Sequence, residues 1–367
     1  MNFKKLLAFT FASLAMGNVA SFAQITPIDQ CNIKDMTMCG SDLYVATNEG
    51  YLIFDTKVGE TKEMKTVGNL TSIIAKDQSD LWYIANLGMS STINHVNGTE
   101  TTTYSVANGA IKGGQYADYS AKGLAYGPNN TVWFGAYGFF HKFDGKEWTN
   151  YTCPASNFGR IYYKRFAFDS NGTVWVAGKD QQKNATFGEF DPVKGEQTPV
   201  ACDFADNGVN SMFVDANDNV WIGTDSKGFY KYDGSTFVNY NKDSDANIDV
   251  TIKTNATVGL CQAANGDIYY AFNKSLVCFS GDYMVVAGTV ANEDHPRDII
   301  TCLLPYGEYI FIGTEQTGVH CTTQRLEKSL RWPMVRLLSA QSATSTPTKP
   351  RLQTPSTISA VARPRTC

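Results

Sequence analysis

A repeat runs along this chain and constrains its fold more than any other feature of the sequence. The segment MFVDANDNVWIGTDSKGFYKYDGSTFVNY from Met212 aligns with LAYGPNNTVWFGAYGFFHKFDGKEWTNY from Leu124 and with FAFDSNGTVWVAGKD from Phe166. Four weaker copies begin at Leu43, Ile73, Leu260 and Cys302. Seven copies predict a repeat architecture in which each unit buries its faces only by packing against its neighbours.

Each copy carries one large aromatic residue at a corresponding place. These residues are Tyr44, Trp82, Trp133, Trp175, Trp221, Tyr269 and Phe311, at separations of 38 to 51 residues. Short apolar or alternating runs broken by Gly, Asn and Asp indicate four antiparallel strands joined by hairpins in each copy. We therefore predict an all-β fold, a seven-bladed β-propeller of four-stranded blades, with the aromatic residues packed between neighbouring blades.

The two ends of the chain differ from the repeats. Residues 1–23 contain Lys4 and Lys5, an apolar run and a small-residue cleavage site, which is the pattern of a secretory signal peptide. The propeller is expected over residues 24–321, with the segment TPIDQC at 26–31 supplying the last strand of blade 7. Residues 322–367 hold eight basic residues, one acidic residue and no Gly. We expect this stretch to be a basic, disordered or non-native tail.

Charge and apolar runs exclude some classes of function. Residues 24–321 hold 21 basic and 34 acidic residues, and this acidic balance disfavours nucleic acid as a partner. No run after the signal peptide is long and apolar enough to span a membrane. We expect an exported protein, periplasmic or extracellular, that does not span the membrane.

The stretch DANDNVWIGT, which begins at Asp215, fits either a calcium loop or a turn. Asp215, Asn217 and Asn219 match the opening of an EF-hand loop, but Val220 and Ser226 replace its central Gly and terminal Glu. Similar tetrads rich in Asn, Asp and Gly follow the first strand of other copies, where these residues suit tight turns. We interpret the stretch as a turn and predict no metal site and no cofactor.

Nine cysteines in an exported chain could form disulfides. Those in apolar, strand-like segments are expected to be buried thiols, and they are Cys261, Cys278, Cys302 and Cys321. Cys31 and Cys39 are close enough in sequence for a local bridge.

The repeats SMFVDANDNVWIGTDSKGFYKYDG and IFIGTEQTGVH resemble the two-component regulator propeller repeat. The likeness covers most of residues 36–321. In that family the propellers form extracytoplasmic sensor regions of hybrid two-component systems, common in Gram-negative gut bacteria and implicated in glycan recognition. This chain contains no kinase, receiver or DNA-binding segment, so the resemblance implies a stand-alone exported relative, with sensing as an analogy.

A site is expected on the propeller face that holds the long connections. If the first strand of each blade lines the channel, the connections between blades share that face with the turns between second and third strands. Residues expected at the mouth of the channel are Lys34, Lys122, Tyr137, Lys164, Arg165 and Arg297. The basic residues would suit an anionic ligand such as an acidic glycan, and the tyrosine could stack on a sugar ring. Alternatively, they are solvated residues on the surface.

We favour a non-enzymatic ligand-binding or sensor-like propeller whose ligand is a glycan or another anionic molecule. The four histidines, His95, His141, His295 and His320, share no spacing between copies, and no catalytic motif occurs. No catalytic residue is therefore predicted. Two alternatives remain: a propeller hydrolase or lyase of the lactonase or streptogramin-lyase type, with residues spread over several blades, and a protein-interaction scaffold.

Overall fold

The structure, a computed structural model, describes residues 23–24, 31–77, 79–86, 90–111, 122–136, 139–152, 162–179, 185–204, 208–244, 247–249, 252, 254–281, 283–290 and 294–323. These residues form seven sheets. The first strand of each blade contacts the first strand of the next, and the series closes on itself. The fold is a seven-bladed, all-β propeller, which confirms the fold predicted from the sequence.

Each blade contains four antiparallel strands, ordered from the innermost outward. In blades 1 to 3 they are β2 (Ile33–Cys39), β3 (Asp42–Thr47), β4 (Gly50–Asp55) and β5 (Glu60–Thr66); β6 (Asn69–Asp77), β7 (Asp80–Asn86), β8 (Ser91–Asn97) and β9 (Glu100–Tyr104); and β10 (Lys122–Gly127), β11 (Thr131–Ala136), β12 (Phe139–Phe143) and β13 (Trp148–Thr152). A short 3-10 turn, Pro128–Asn130, joins β10 to β11.

Blades 4 to 7 follow the same plan. Their strands are β14 (Tyr162–Phe168), β15 (Val174–Lys179), β16 (Ala185–Asp191) and β17 (Glu196–Pro199); β18 (Val209–Val214), β19 (Val220–Thr224), β20 (Phe229–Tyr232) and β21 (Phe237–Tyr240); β23 (Gly259–Gln262), β24 (Ile268–Phe272), β25 (Ser275–Phe279) and β26 (Tyr283–Thr289); and β27 (Ile300–Tyr306), β28 (Tyr309–Thr314), β29 (Val319–Thr323) and β1 (Ala23–Gln24). Blade 6 also holds a fifth strand, β22 (Asn247–Ile248), parallel to β26.

The N-terminal strand completes blade 7. Strand β1 pairs antiparallel with β29, so that Ala23 lies opposite Cys321 and Gln24 opposite His320. The closing strand therefore lies before the segment 26–31 expected to supply it; of that segment, 26–30 lie outside the described residues. Strand β29 continues to Thr323, two residues past the expected end of the propeller, and 324–367 also lie outside the described residues.

The apolar core is divided among the seams between blades. Each of the seven apolar clusters found among the described residues is shared by two neighbouring blades. The seven repeated aromatic residues fall into seven different clusters, and each is at most 6% exposed. Since burial of a large apolar side chain contributes about 1.5–3 kcal/mol, one such residue per seam binds each blade to the next, as the repeat predicted.

The tetrads between first and second strands are turns. Asn129, Gly172, Asp218 and Gly266 all take positive φ angles there, between 57° and 87°, in the left-handed region that Asn, Asp and Gly tolerate. The backbone conformation of these turns therefore explains why Asn, Asp and Gly occur in the tetrads.

Asp215 shows what its carboxylate does in such a turn. It accepts the backbone N–H of Asn217 at 2.9 Å and of Asn219 at 3.0 Å. Its Oδ2 also accepts the indole N–H of Trp221 at 2.8 Å. Burial alone would raise the pKa of Asp215, but the hydrogen bonds from Trp221 and Asn219 outweigh it and lower the pKa below its usual value. The carboxylate therefore folds the turn and anchors the aromatic residue of blade 5.

The cysteines of the described part behave as thiols. Cys39 Sγ donates to Lys76 O at 3.4 Å, so the bridge between Cys31 and Cys39 considered from the sequence does not form. Burial raises the pKa of the Cys261 and Cys321 thiols to about 12. These two groups belong to the core, as their apolar segments indicated.

Candidate functional site

Hydrogen bonds between loops define one face of the propeller. The N–H of Asn48 donates to Asn32 O at 3.3 Å in blade 1, and the N–H of Glu315 donates to Ile299 O at 3.0 Å in blade 7. The corresponding bond in blade 5 also measures 3.0 Å. Each bond joins the turn after the second strand to the connection that enters the same blade. In these three blades the two kinds of loop share a face, as expected, and we call it the top face.

A cavity of about 560 Å³ lies on the top face where blade 7 meets blade 1, and we call it the seam cavity. Cys31, Asn32 and the turn 47–49 line it from blade 1. Glu315 and Gln316 line it from the turn of blade 7, and His295 lines it from the connection before that blade. Closure of the ring therefore brings together residues from opposite ends of the repeat array.

The wall from blade 1 is held by a threonine. Thr47 Oγ1 donates to Gly50 O at 2.9 Å and accepts the N–H groups of Glu49 and Gly50, both at 3.1 Å. Gly50 has φ +155°, and a Cβ there would lie 1.9 Å from Lys65 O. Only glycine fits this position, because any side chain would collide with the backbone of the neighbouring strand β5.

The wall from blade 7 rests on a buried carboxylate. Asp298 is 0% exposed and accepts the N–H of Gln316 at 2.9 Å and of Thr317 at 3.2 Å. Its Oδ2 also accepts the Thr317 hydroxyl, and Thr317 Oγ1 lies 2.7 Å from His320 Nε2. Because hydrogen bonds to a buried charge are strong, this network fixes the turn that presents Glu315 and Gln316 to the cavity.

The side chains that line the cavity are mostly polar. Asn32 Oδ1 is buried and meets no hydrogen-bond donor within the described part of the chain. The side chains of Glu49 and Glu315 are exposed and make no ion pair with a described residue. His295 Nδ1 lies 3.2 Å from Gln316 Oε1, and since an amide oxygen only accepts, the imidazole is the donor.

The charge of the cavity differs from the charge expected at the site. Two carboxylates and no Lys or Arg line it, counting the residues that the structure describes. Lys34, the second residue of β2, is half-buried, and Arg297 is exposed in the connection before β27. Each lies two residues beyond a lining residue, Asn32 and His295 respectively, but neither lines the cavity.

The other expected rim residues are not placed as side chains. Lys122 lies at the start of β10, and Lys164 and Arg165 lie in β14, but the structure describes only the backbone at these three positions. Tyr137 lies outside the described residues. A basic ring at the channel mouth therefore stays a prediction.

The inner strands carry a feature that the sequence did not indicate. Register shifts interrupt the pairing of first and second strands near the top face in six blades. The extra residues include Lys34, Thr71, Lys164, Asn210 and Thr301. All five residues are polar, but no single residue type recurs at the bulges, so no motif marks them, although bulges often turn a side chain toward a site.

Three of the four histidines pack against, or hydrogen-bond with, residues of the fold rather than lining the seam cavity. His95 stacks on Trp82 with ring centres 3.9 Å apart, and His320 lies in the Asp298 network. His141 is 0% exposed, with Nδ1 2.5 Å from Asn150 Oδ1. Burial lowers the pKa of His141 to about 4, despite the opposing effect of the hydrogen bond that its Nδ1–H donates to Asn150 Oδ1. Only His295 of the four reaches the seam cavity.

Metal ligands and long apolar helices bear on the remaining classes of site. The described residues contain no group of three or more His, Cys, Asp and Glu side chains arranged to hold a metal ion. Within the same residues, no helix has the length and apolar character needed to cross a membrane.

Comparison with known families identifies the repeat. A family model described as two component regulator propeller matches residues 203–226, which cover the entry to blade 5 and its first two strands. The chain is thus a β-propeller that carries the two-component regulator propeller repeat, and the resemblance inferred from the sequence is confirmed. A search of the curated proteins found no match.

Solved structures share the fold at low identity. A catalytically inactive virginiamycin B lyase from Staphylococcus aureus, solved with quinupristin, is 13% identical with a TM-score of 0.65, over 82% of this chain and 98% of the lyase. The extracellular domain of a putative hybrid two component system from B. thetaiotaomicron is 14% identical with a TM-score of 0.62. That alignment covers 83% of this chain and 40% of the other.

A third structure is PorZ, a bacterial surface component of the type-IX secretion system of Porphyromonas gingivalis. It is 13% identical with a TM-score of 0.52, over 80% of this chain and 47% of PorZ. At these identities the likeness shows the fold alone, because one fold hosts many functions.

Sequence reasoning missed the seam cavity, although a signal for it existed. The turns TNEG in blade 1 and TEQTG in blade 7 both place a glutamate soon after a threonine that ends the second strand. Ring closure makes those two blades neighbours. Combining the two observations would have placed Glu49 and Glu315 on the same face at one seam.

Proposed function

We propose that this protein is an exported, non-catalytic binding propeller that holds a small polar ligand, such as a short glycan, in the seam cavity. The observation that carries the proposal is the cavity itself. Its volume of about 560 Å³ lies within the roughly 300–1,000 Å³ of small-molecule sites. Its walls are turns fixed by Thr47 and Asp298, so little ordering is required on binding.

Relatives with this fold support the proposal. The virginiamycin B lyase was solved with the small molecule quinupristin, and the B. thetaiotaomicron domain is the extracellular part of a putative two component system. Together with the signal-peptide pattern of residues 1–23, these relatives favour export and a sensor-like role.

A thermal-shift screen of the full chain against neutral, acidic and basic oligosaccharides tests the proposal. A ligand present at 100 times its Kd stabilises the folded state by about 2.7 kcal/mol, which raises Tm by roughly 5 °C for a domain of this size. Asn32→Leu should abolish the shift, because it replaces a polar side chain that lines the cavity with a branched apolar one. If no oligosaccharide raises Tm, or if Asn32→Leu leaves the shift intact, the proposal is wrong.

The histidine in the cavity keeps a lyase or hydrolase as the second candidate. His295 could act as a general base on a ligand held between Glu49 and Glu315. Incubation of the full chain with quinupristin, followed by mass spectrometry, tests this candidate, and we expect no turnover. Turnover that disappears in His295→Ala would replace the binding proposal with an enzymatic one.

The basic rim is proposed as a separate site for an anionic ligand at the channel mouth. It would comprise Lys34, Lys122, Tyr137, Lys164, Arg165 and Arg297. If an acidic oligosaccharide raises Tm, Arg165→Ala should abolish that shift, whereas Asn32→Leu should leave it unchanged. The opposite pattern would place the acidic ligand in the seam cavity instead.

A further inference from the structure

The predicted cleavage site of the signal peptide lies inside the strand that closes the ring. The signal-peptide pattern ends with Ser21, Phe22 and Ala23, so a signal peptidase would cut the bond between Ala23 and Gln24. The same two residues form β1, which is hydrogen-bonded to β29. Cleavage therefore removes one of the two residues of the closing strand and makes the other the N-terminal residue of the mature chain.

Cleavage also changes the chemistry of residue 24. In the uncut chain its nitrogen belongs to a neutral peptide group, and the structure pairs this form of the residue with β29. After cleavage the same nitrogen is an α-ammonium group, which is largely protonated at neutral pH. The partner strand is buried at this point, since His320 is 4% exposed and Cys321 is 3% exposed. Because an unpaired charge near a buried region costs free energy, a neutral N-terminal residue suits the closing strand better.

The side chain of residue 24 supplies a reaction that removes this charge. An N-terminal glutamine cyclises when its uncharged α-amine attacks the carbonyl carbon of its own side-chain amide. A C–N bond forms to that carbon, the bond from it to the amide nitrogen breaks, and ammonia leaves with a proton from the attacking nitrogen. The product, pyroglutamate, requires no oxidant, reductant or second reactant. Its lactam is neutral and keeps one N–H donor, as the peptide group of the uncut chain does.

We propose that Gln24 is a modification site, at which the mature N-terminus cyclises to pyroglutamate and closes blade 7 as a neutral residue opposite His320. This inference rests on the proposed function, because it assumes that the chain is exported and processed. The pairing also connects the modified residue to the seam cavity. His320 Nε2 lies 2.7 Å from Thr317 Oγ1, in the network that fixes the wall from blade 7.

Mass spectrometry of the full chain, expressed with its own residues 1–23 in a bacterial host, tests the inference. Trypsin should release residues 24–34 as the N-terminal peptide, because Lys34 is the first basic residue after the cleavage site. We expect this peptide to be lighter than its unmodified sequence by the mass of one ammonia molecule. The undigested protein should resist Edman degradation, which excludes cyclisation during digestion. The matched control is Gln24→Ser, which lacks the side-chain amide and should give a chain with a free α-amine.

Pyroglutamyl aminopeptidase tests the pairing with β29, because the enzyme must bind an N-terminal residue that is not held in a sheet. Release of pyroglutamate from the native protein should be at least tenfold slower than release from a synthetic peptide of residues 24–34 that carries the same modification. Equal rates would overturn the placement of the modified residue in the closing strand of blade 7.

The outcomes separate this inference from the proposed function. An N-terminus at Gln24 with a free α-amine would overturn the inference and leave export and ligand binding unaffected. Cleavage at another bond would also overturn it, because glutamine would then not be the residue that this cut exposes. Retention of residues 1–23 would overturn both the inference and the proposed export. The oligosaccharide screen decides ligand binding independently of all these results.

Discussion

Replacing Asp215 with asparagine isolates the role of the turn carboxylate, because Asp215→Asn preserves the size of the side chain. The asparagine oxygen can still accept the backbone N–H groups, but its NH₂ group would face the Trp221 indole N–H, now accepted at 2.8 Å, and the Asn219 amide at 2.9 Å. A hydrogen bond to a charged group contributes about 1.5–3 kcal/mol, and an unsatisfied buried donor costs about 1–3 kcal/mol. We expect the free energy of unfolding to fall by about 2–4 kcal/mol.

Urea denaturation at pH 7 measures this loss, with Asp243→Asn as the control. The Asp243 side chain is 67% exposed, and among the described residues its carboxylate forms an ion pair with its neighbour Lys242 alone, so its substitution should change stability by less than about 0.5 kcal/mol. Because the pKa of Asp215 is lowered in the folded state, its contribution is present above the unfolded pKa and is lost as the pH falls through the folded pKa. Equal stability of the two variants, or stabilisation of the wild type by calcium that Asp215→Asn removes, would refute the turn interpretation.

Three further perturbations test the packing and the cavity wall. The pKa of His141 is about 4 in the folded state and 6.5 otherwise, so the wild type should lose about 2 kcal/mol of unfolding free energy between pH 7 and 4.5. His141→Phe should remove this pH dependence in urea denaturation. A variant with the same pH dependence as the wild type would contradict the prediction. Gly228→Ala should lower Tm much more than Gly234→Ala. Both positions have positive φ, but a Cβ at Gly228 would lie 2.1 Å from a carbonyl oxygen, whereas the space at Gly234 is open. Equal losses of Tm would show that crowding at Gly228 does not matter. Asp298→Asn should cost about 2–4 kcal/mol in urea denaturation and speed amide exchange at Gln316, and an unchanged exchange rate would show that the buried carboxylate does not hold the wall.

Most of the fold could be predicted from the repeat, because every blade must pack against its neighbours in the same way. Trp221 lies between strands of two blades, and the same need places Tyr44 and Phe311 at corresponding positions. Because this packing recurs in each blade, the residues that provide it recur at regular intervals in the sequence. The number of blades and the positions of the seams could therefore be predicted.

Features that occur once leave no such trace. Strand β22 covers the edge of β26, whose sequence YMVVAGT is apolar, and Asp249 N–H donates to Met284 O at 2.9 Å. An exposed apolar edge strand is prone to pair with other chains unless another segment covers it. The segment that covers β26 is polar, and its sequence is typical of a loop. The closing strand at Ala23–Gln24 is also short and has no repeat partner in the sequence.

The sequence predicted the face of the propeller on which the candidate site lies, but not its position on that face. Loop lengths and strand direction indicated the top face, whereas the seam cavity depends on how the turns of Glu49 and Glu315 meet after the ring closes. Basic residues such as Lys34 and Arg297 drew attention because of their charge, yet among the described residues the charged side chains that line the cavity are the carboxylates of Glu49 and Glu315.

Hydrogen–deuterium exchange of the full chain, with and without the oligosaccharide that raises Tm most, tests the central claim most directly. Binding in the seam cavity predicts slower exchange in the turns around Glu49 and Gln316, where the backbone N–H groups hold the walls, and unchanged exchange in the turn at Asp215 on the first-to-second strand side. Protection confined to other blades, or no protection at saturating ligand, would contradict the claim that the cavity between blades 7 and 1 is the binding site.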